Sequence, residues 1–406
     1  MQKKVFITGG IVLVVITIGL FLYVFFVQKA EEQRPTVSES SFEISDSSSV
    51  SSFLPAEEGS LPPTDISEDT TDVRSTSSPE TSFSDVFAPE SHLTQLSTLR
   101  VAGMVFTGTS TVRFSERGTG EITDLDVLTM NTESIETNLS GVIAATFNAN
   151  GSRVILKIND NLSLRFFAGV IAENARGEKE LRGSFLPNNT QDAIFAGITN
   201  IRYLLTKSNG GEIHTFEPST RTDTIEATIP FTQAHFITST TGVTYLITTP
   251  SAHMEGSIYQ YTPAGITAFA LGGQGLTAFA AGNTVFITAY RNKILSTIAT
   301  NGISETNIQN ILNTDTCIAA PITIYCARPF EIPTTEYPDR WYRGEEHHND
   351  MLFELDRKEN KLFSLINPES ETGQSFDILK LVAHPTRDDL LLLINKNNDT
   401  LWLYAR

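Results

Sequence analysis

The chain has 406 residues, of which 40% are hydrophobic, and a net charge of −18 at pH 7. This acidity argues against nucleic acid as a partner, because binding to phosphates is driven by clustered Lys and Arg side chains. Its two cysteines are too few for a disulfide scaffold and lack the Cys-x-x-Cys spacing of a structural zinc site.

The N-terminal region contains a long apolar stretch. After a tail of residues 1–4, the 23 residues from Val5 to Val27 carry no charge. As a helix with a rise of about 1.5 Å per residue they would span roughly 34 Å, enough to cross a bilayer. A cleaved signal peptide is the alternative, but its apolar region would be only about 7–15 residues long. We therefore predict an uncleaved transmembrane signal anchor.

The flanking charges and the next segment indicate the topology. Lys3 and Lys4 precede the apolar stretch, a slight bias toward a cytoplasmic N-terminus. Residues 28–89 contain 16 Ser, 6 Thr, 6 Pro and 13 acidic residues. Such a composition cannot bury enough apolar surface to offset its ordering entropy, so it predicts a disordered linker. The rest of the chain is then expected outside the cytoplasmic membrane, in the periplasm or at the cell surface.

Residues 90–406 are predicted to form one all-β domain built from a repeated hairpin. The clearest copy runs from Phe147 to Ile158, with two strands around an Asn-Ala-Asn-Gly turn. Weaker copies occur at residues 104–114, 195–205, 236–247, 279–287, 318–327 and 382–394. Their mean spacing, (382 − 104)/6 or roughly 46 residues, is typical of four-stranded propeller blades. The pattern predicts a seven-bladed β-propeller and leaves six or eight blades open.

The remaining strands follow from the same pattern. A third strand follows each hairpin, at residues 120–127, 163–167, 212–216, 256–261, 293–298, 350–355 and 400–404. The last unit ends after three strands, so we expect residues 93–101 to supply its fourth strand and to close the ring. Short helices are expected only at residues 170–181 and 305–312.

The turn of the clearest hairpin carries a resemblance to a known family. The stretch Phe147-Asn-Ala-Asn-Gly-Ser-Arg-Val-Ile155 resembles the aromatic-Ser-Pro-Asp-Gly-x-x-Ile hairpin of WD40-like propellers of the TolB type, and residues 384–390 are a looser version. The whole layout is similar to uncharacterised membrane-anchored propeller proteins of small-genome bacteria. The resemblance implies a propeller fold but no particular activity, because propellers host many functions.

The two cysteines lie in one predicted hairpin. Cys317 and Cys326 flank a turn about Pro321 and Ile322, which would place them directly opposite each other. Cross-strand Cβ atoms are about 4.5–5.5 Å apart, so a small adjustment would allow a disulfide. We predict this disulfide; two buried free thiols are the alternative.

One long insertion, at residues 328–349, separates two of the hairpin units. It lengthens the step from Ile318 to Val382 to 64 residues, and loops of this length are usually functional or disordered. The predicted binding residues are its aromatic and arginine side chains, types that are enriched at interface hot spots: Tyr337, Arg340, Trp341, Tyr342 and Arg343. The alternative is that Trp341 fills a propeller face as a structural residue. The polar residues 345–350 are interpreted as a solvated loop, so no metal site is predicted.

Enzyme signatures are absent from the sequence. It contains no G-x-S-x-G elbow, no phosphate-binding loop and no H-E-x-x-H motif. We therefore predict no catalytic residue and no cofactor. The predicted function is a membrane-anchored extracytoplasmic propeller that binds or scaffolds a protein or glycan partner. The alternatives are a cell-envelope hydrolase or lyase with a carboxylate site at the propeller channel, and a subunit of an envelope protein complex.

Overall fold

A computed structural model describes residues 91–160, 163–308, 311, 313–331, 336–357 and 359–406. All of them belong to one unit of the chain, Glu80–Arg406. The predicted cytoplasmic tail, the membrane helix at residues 5–27 and the linker at residues 28–89 lie outside the described residues. Within the described ranges, no helix is both long enough and apolar enough to cross a membrane.

The described residues form strands joined mainly by short turns. In chain order the strands are β1 (Leu93–Ser97), β2 (Val101–Phe106), β3 (Thr111–Glu116), β4 (Ile122–Asp126), β5 (Thr132–Ile135), β6 (Val142–Phe147), β7 (Arg153–Asp160), β8 (Ser163–Glu173), β9 (Lys179–Phe185), β10 (Thr190–Ala196), β11 (Asn200–Lys207), β12 (Gly210–Glu217), β13 (Thr222–Ile229), β14 (Ala234–Thr238), β15 (Thr244–Thr248), β16 (Glu255–Thr262), β17 (Gly265–Ala281), β18 (Thr284–Arg291), β19 (Ile294–Thr300), β20 (Glu305–Ile308), β21 (Cys317–Ala319), β22 (Ile324–Pro329), β23 (Asp350–Asp356), β24 (Lys361–Ile366), β25 (Ile378–Ala383), β26 (Leu390–Asn395) and β27 (Thr400–Ala405). The described helices are a 3-10 turn at Thr314–Thr316, α1 (Asp339–Arg343) and α2 (Pro368–Thr372).

These strands pair into antiparallel sheets of consecutive strands. The four-stranded sheets have the orders β2-β3-β4-β5, β6-β7-β8-β9, β10-β11-β12-β13, β21-β22-β23-β24 and β1-β27-β26-β25. A seven-stranded sheet runs from β14 to β20. The all-β prediction is confirmed. In the four-stranded sheets, the predicted hairpins are the strand pairs β2–β3, β6–β7, β10–β11, β21–β22 and β25–β26.

The seven-stranded sheet is continuous because one strand serves two neighbouring groups. The first part of β17 pairs with β16 from Gly265 to Gln274, and its second part pairs with β18 from Gln274 to Ala281. The β17–β18 register shifts between Gln274 and Thr277. Thus β17 is both the fourth strand of one group and the first strand of the next.

The two ends of the described chain meet in one sheet. Strand β1 pairs with β27, with Leu93 opposite Tyr404 and Gln95 opposite Trp402. The first strands of the sheets contact one another in sequence, including β2 with β6, β10 with β14, β21 with β25, and β25 with β2. The sheets therefore form a closed ring around a central axis. The predicted closing strand is confirmed, although it ends at Ser97 and Val101 already begins β2.

Buried apolar side chains fill the space between neighbouring sheets. Leu96, Phe106 and Leu392 lie in the cluster between the last and the first sheet. Near the axis the backbones approach so closely that Gly103 of β2 is required, because a Cβ atom there would lie 2.0 Å from the carbonyl oxygen of Ala145 in β6. The core is thus divided among the interfaces between sheets.

The two predicted short helices are wrong. Residues 170–181 contain the end of β8, a turn and the start of β9, with Ile171 opposite Leu181. In the second stretch, Glu305–Ile308 forms β20, which pairs with β19. In both places cross-strand pairing with a neighbouring hairpin determines the structure, and weak local helix propensity does not.

Candidate functional site at the entry face

One end of the ring, here called the entry face, is where the first strands of the sheets begin. Antiparallel alternation brings the connection between β22 and β23, which is the long insertion, to this same end. The backbone N–H of Ile378, at the start of β25, donates to Oδ2 of Asp350, at the start of β23, at 2.6 Å. The entry face therefore combines the insertion with the starts of the inner strands.

The insertion is fixed to the last sheet by Trp341. This residue of α1 is only 3% exposed, and its indole Nε1 donates to Oδ1 of Asp377 at 2.7 Å. Lys396 Nζ lies 4.0 Å from the indole ring centroid and donates to the Trp341 carbonyl oxygen at 2.6 Å. A cation–π contact and two hydrogen bonds to charged groups thus hold α1 in place.

Further contacts carry the insertion across several sheets. Tyr337 is fully buried and packs with Trp341 against Leu295 of β19. The carboxylate of Asp339 accepts a hydrogen bond from the backbone N–H of Ala252, in the connection between β15 and β16. Residues 337–341 thus contact the last sheet and both halves of the seven-stranded sheet, so this part of the insertion lies over the entry face.

Buried charges lie beneath the insertion. Burial, together with the nearby charge of Asp377, raises the pKa of Asp350 well above its usual value. Burial also lowers the pKa of Lys396, although Asp377, whose Oδ2 is 3.5 Å from Lys396 Nζ, opposes that shift. Burial lowers the pKa of His348 as well. Most of these groups are enclosed by protein, so their charges are costly unless they compensate one another.

The five sequence-predicted binding residues therefore separate into two sets. Tyr337 and Trp341 are interior residues, as the structural alternative for Trp341 expects. Tyr342 is 46% exposed, and its hydroxyl donates to the carboxylate of Asp315. Arg343 is exposed and forms two hydrogen bonds with Glu345, at 2.8 and 3.0 Å, and Arg340 is 3.8 Å from the same carboxylate. Partner binding by this exposed set stays a prediction.

Sequence reasoning missed a group of titratable residues near the ring axis. Asp192, at the start of β10, accepts a hydrogen bond from the backbone N–H of Phe236 at 2.7 Å. Burial raises the pKa of both Asp192 and Asp315. The charge of His235 partly offsets both pKa shifts, so it lies within electrostatic range of the two carboxylates.

The only signal for this group in the sequence is the position of Asp192 and Asp315 beside the starts of inner strands. His235 is a lone histidine of β14 and belongs to no recognisable motif. Among the described residues, no group of three or more His, Cys, Asp or Glu side chains has the geometry to hold a metal ion. In the predicted solvated loop, Asp350 is instead buried and Glu345 is paired with Arg343.

The two cysteines lie in the hairpin formed by β21 and β22. Cys317 and Cys326 are directly opposite in the β21–β22 pairing, with Cα atoms 4.1 Å apart, and a disulfide joins them. The bond closes the hairpin whose turn contains Pro321 and Ile322.

No protein-family model matches the chain, and no curated protein matches it. Solved structures do. The β-propeller domain of Cps50 (Swd1) from Myceliophteria thermophila is 10% identical, with a TM-score of 0.51, over 77% of this chain and 98% of that domain. The structure of YCF48 bound to D1 peptide is 9% identical, with a TM-score of 0.50, over 79% of this chain and 96% of that one. At these identities the similarity shows the fold alone: the described chain is an all-β propeller.

Proposed function

We propose that this protein is a membrane-anchored, extracytoplasmic, seven-bladed propeller that binds or scaffolds a protein partner. The blade count follows if β17 is divided between two blades, because the seven-stranded sheet then supplies two blades beside the five four-stranded sheets. The TolB-type hairpin at residues 147–155 supports a bacterial propeller of this kind.

The anchoring part of the proposal rests on the sequence of residues 1–89. The uncharged stretch from Val5 to Val27 has the length of a membrane span, and the disulfide between Cys317 and Cys326 is typical of an oxidising compartment. Protease added to intact spheroplasts is expected to cut within residues 28–89 and to release the propeller as one resistant fragment. Protection of residues 28–89 in sealed cells would contradict this topology.

One observation carries the binding function: α1 of the insertion is held by buried anchors and still presents exposed hot-spot residue types. Its buried anchors fix α1, so Tyr342, Arg340 and Arg343 lie on a pre-organised surface at the entry face. A rigid surface loses less conformational entropy on binding than a mobile loop does. The similar YCF48 structure contains a bound D1 peptide, which supports a protein or peptide partner over a glycan.

Site-specific photocrosslinking in the native host tests this proposal. The full chain carries a photoreactive residue at position 342 or, as a control, at position 128, where Leu128 is exposed outside the entry face. We expect a protein adduct from position 342 alone, reduced about tenfold by Arg340→Ala with Arg343→Ala, a hot-spot effect. Equal adducts from both positions, or an adduct that the double variant leaves unchanged, would contradict the proposal. Several distinct membrane proteins in the adduct would favour the envelope-complex alternative.

The second candidate function is the hydrolase or lyase. The observation that favours it is the pair of raised pKa values at Asp192 and Asp315 near His235, because catalytic acids are tuned in this way. Purified full-length protein is assayed against cell-envelope glycans and peptides. Turnover that Asp315→Asn abolishes would establish the enzyme. Turnover that survives this substitution would place catalysis elsewhere.

A further inference from the structure

The opposite end of the ring, here called the exit face, is where the first strands of the sheets end. A cavity of about 530 Å³ is centred on this face. The turns that border it come from several sheets and carry small side chains, among them Ala149, Thr240, Gly282, Ala320 and Pro385. Because these side chains are small, the centre of the exit face is a depression with room for a ligand.

A second cavity, also about 530 Å³, adjoins the first toward the rim of the ring. The two share Ile322, Thr323 and Arg357. Together they form a continuous groove, here called the exit groove, from the centre of the face to the rim beside β23 and β24. Its extended shape suits a length of peptide better than a compact small molecule.

Apolar side chains are exposed in the exit groove. Ile322 is 81% exposed at the tip of the β21–β22 turn, and Phe363 is half exposed in the outer cavity. The turn is fixed, because the Ile322 N–H donates to Asp388 Oδ1 at 3.0 Å and the Ala320 N–H donates to the Thr323 carbonyl oxygen at 2.8 Å. The disulfide between Cys317 and Cys326 closes the same hairpin. Ile322 is thus a rigid apolar projection, a feature common at interaction sites.

Few acidic side chains border the exit groove, although the chain as a whole is acidic. Among the described residues, no Asp or Glu borders the central cavity, and Arg357 has no ion pair. Two carboxylates border the outer cavity: Glu354 is already paired with Arg406 at 2.8 Å, and Asp356 accepts a hydrogen bond from the Glu359 N–H at 3.0 Å. Arg357, at the junction of the two cavities, is therefore the guanidinium group available to a ligand carboxylate, which it can bind through two parallel hydrogen bonds.

We propose that the exit groove binds an extended peptide segment of a partner protein that carries a carboxylate for Arg357 and a bulky apolar side chain for Ile322 and Phe363. This site lies at the opposite end of the ring from the insertion. The two faces then bind different partners at the same time, and the protein bridges them. The exit-groove site goes beyond binding at the entry face and does not depend on it, whereas the bridging of two partners rests on the proposed function.

An immobilised array of pentapeptides, probed with detergent-solubilised full-length protein, tests the proposal. At one position of the peptide the array compares Asp with Asn. At a second position it compares Phe, Leu and Ala. We expect retention of peptides with Asp and with Phe or Leu, and at least tenfold weaker retention of the Asn or Ala versions. Equal retention of the Asp and Asn peptides would overturn the proposal.

Matched variants locate the binding. Arg357→Gln and Ile322→Ser change exposed residues, and each is expected to weaken retention about tenfold with an unchanged melting temperature. The controls are Arg176→Gln, at an exposed arginine outside the groove, and Ile303→Ser, at an exposed isoleucine outside the groove; both should bind as the parent does. No loss with Arg357→Gln would overturn the proposal, as would a loss only with the entry-face variant Arg343→Ala.

The chain itself contains a competing sequence. Residues 83–87, Phe-Ser-Asp-Val-Phe, combine a carboxylate with apolar side chains. Array binding that rises several-fold when Phe83 and Phe87 are both replaced by Ser would make this segment the occupant and overturn the proposal of a partner protein. Unchanged array binding in that variant would support a partner.

Discussion

Trp341 connects two parts of the chain that are far apart in sequence. Its Nε1 donates a hydrogen bond to Asp377, 36 residues further on. The ammonium group of Lys396, 55 residues further on, lies over its ring. Asp377 is fully buried, so its carboxylate has lost its hydrogen bonds to water. The indole N–H is one of the few groups that replace them. The residue acts as a structural anchor of the insertion.

Replacing the anchor should therefore destabilise the protein. Trp341→Phe keeps an aromatic ring but leaves Asp377 Oδ1 without its donor, so we expect the free energy of unfolding to fall by about 1–3 kcal/mol. Urea denaturation measures the change. The matched control is the exposed neighbour Arg343→Ala, expected to change stability by less than about 0.5 kcal/mol. Equal unfolding curves for Trp341→Phe and the parent would show that the indole bond is not an anchor.

Asp350 should make stability depend on pH. Burial and the charge of Asp377 raise its folded-state pKa well above the ordinary value of 3.8. Its contribution is complete below the unfolded-state pKa and is lost as pH rises through the folded-state pKa. Asp350→Asn does not titrate and keeps an oxygen that can accept the Ile378 N–H. We expect the stability of this variant relative to the parent to increase as the pH rises above the unfolded-state pKa, by about 1.4 kcal/mol per unit of pKa shift. A difference in melting temperature that does not vary with pH would contradict this.

Residue types in the sequence identified the insertion but not the orientation of its side chains. Aromatic and arginine residues marked Tyr337 to Arg343, yet burial of Trp341 depends on Asp377 and Lys396, whose proximity no local pattern encodes. The same holds for Asp192, His235 and Asp315, which belong to different sheets. Such sites are assembled by ring closure, so a single sequence carries almost no signal for them.

At the scale of elements, hairpins were predictable because their signals are local. Alternating apolar residues and a Gly-containing turn, as at Phe147 to Ile158, specify both strands and the register between them. The outer strands β9 and β20 were not predicted because their exposed residues dilute the period-2 pattern. The shared strand β17 was also beyond sequence reasoning, because a continuous strand and two strands in line have the same pattern.

The β21–β22 hairpin gives a prediction about its disulfide. Closing a loop of about ten residues constrains the unfolded chain, so Cys317→Ser with Cys326→Ser should cost roughly 2–3 kcal/mol in the chain-entropy model while the fold is retained. Thermal denaturation compares the variant with the parent. Thiol labelling of the denatured, non-reduced parent supplies the independent check: two reactive thiols would show that the bond does not form in the protein.

At the scale of the whole molecule, ring closure depends on β1. Leu93 packs in the cluster between the last two sheets, and Leu96 packs in the cluster between the last and the first sheet. A short strand from the start of the domain thus completes two interfaces.

Weakening this strand should open the ring. Leu93→Ala with Leu96→Ala removes two buried leucines, and each such change typically costs about 2–5 kcal/mol. We expect a large loss of unfolding free energy and rapid proteolysis beginning in the last sheet. Thr94→Ala, at an exposed position of the same strand, is the matched control and should resist protease as the parent does. Equal resistance of the double variant would show that β1 is dispensable for closure.

The position of β1 also determines how the propeller responds to mechanical force. A pull on the chain ahead of Ser91 enters the domain through β1, and it loads the strand lengthwise when it acts along the strand direction. Its hydrogen bonds to β27, between Leu93 and Tyr404 and onward to Ser97 and Leu401, run across that direction. They are loaded together in shear and do not open one after another. Because forced unfolding is governed by the unfolding rate, this arrangement slows rupture at the strand that any attachment ahead of Ser91 would load first.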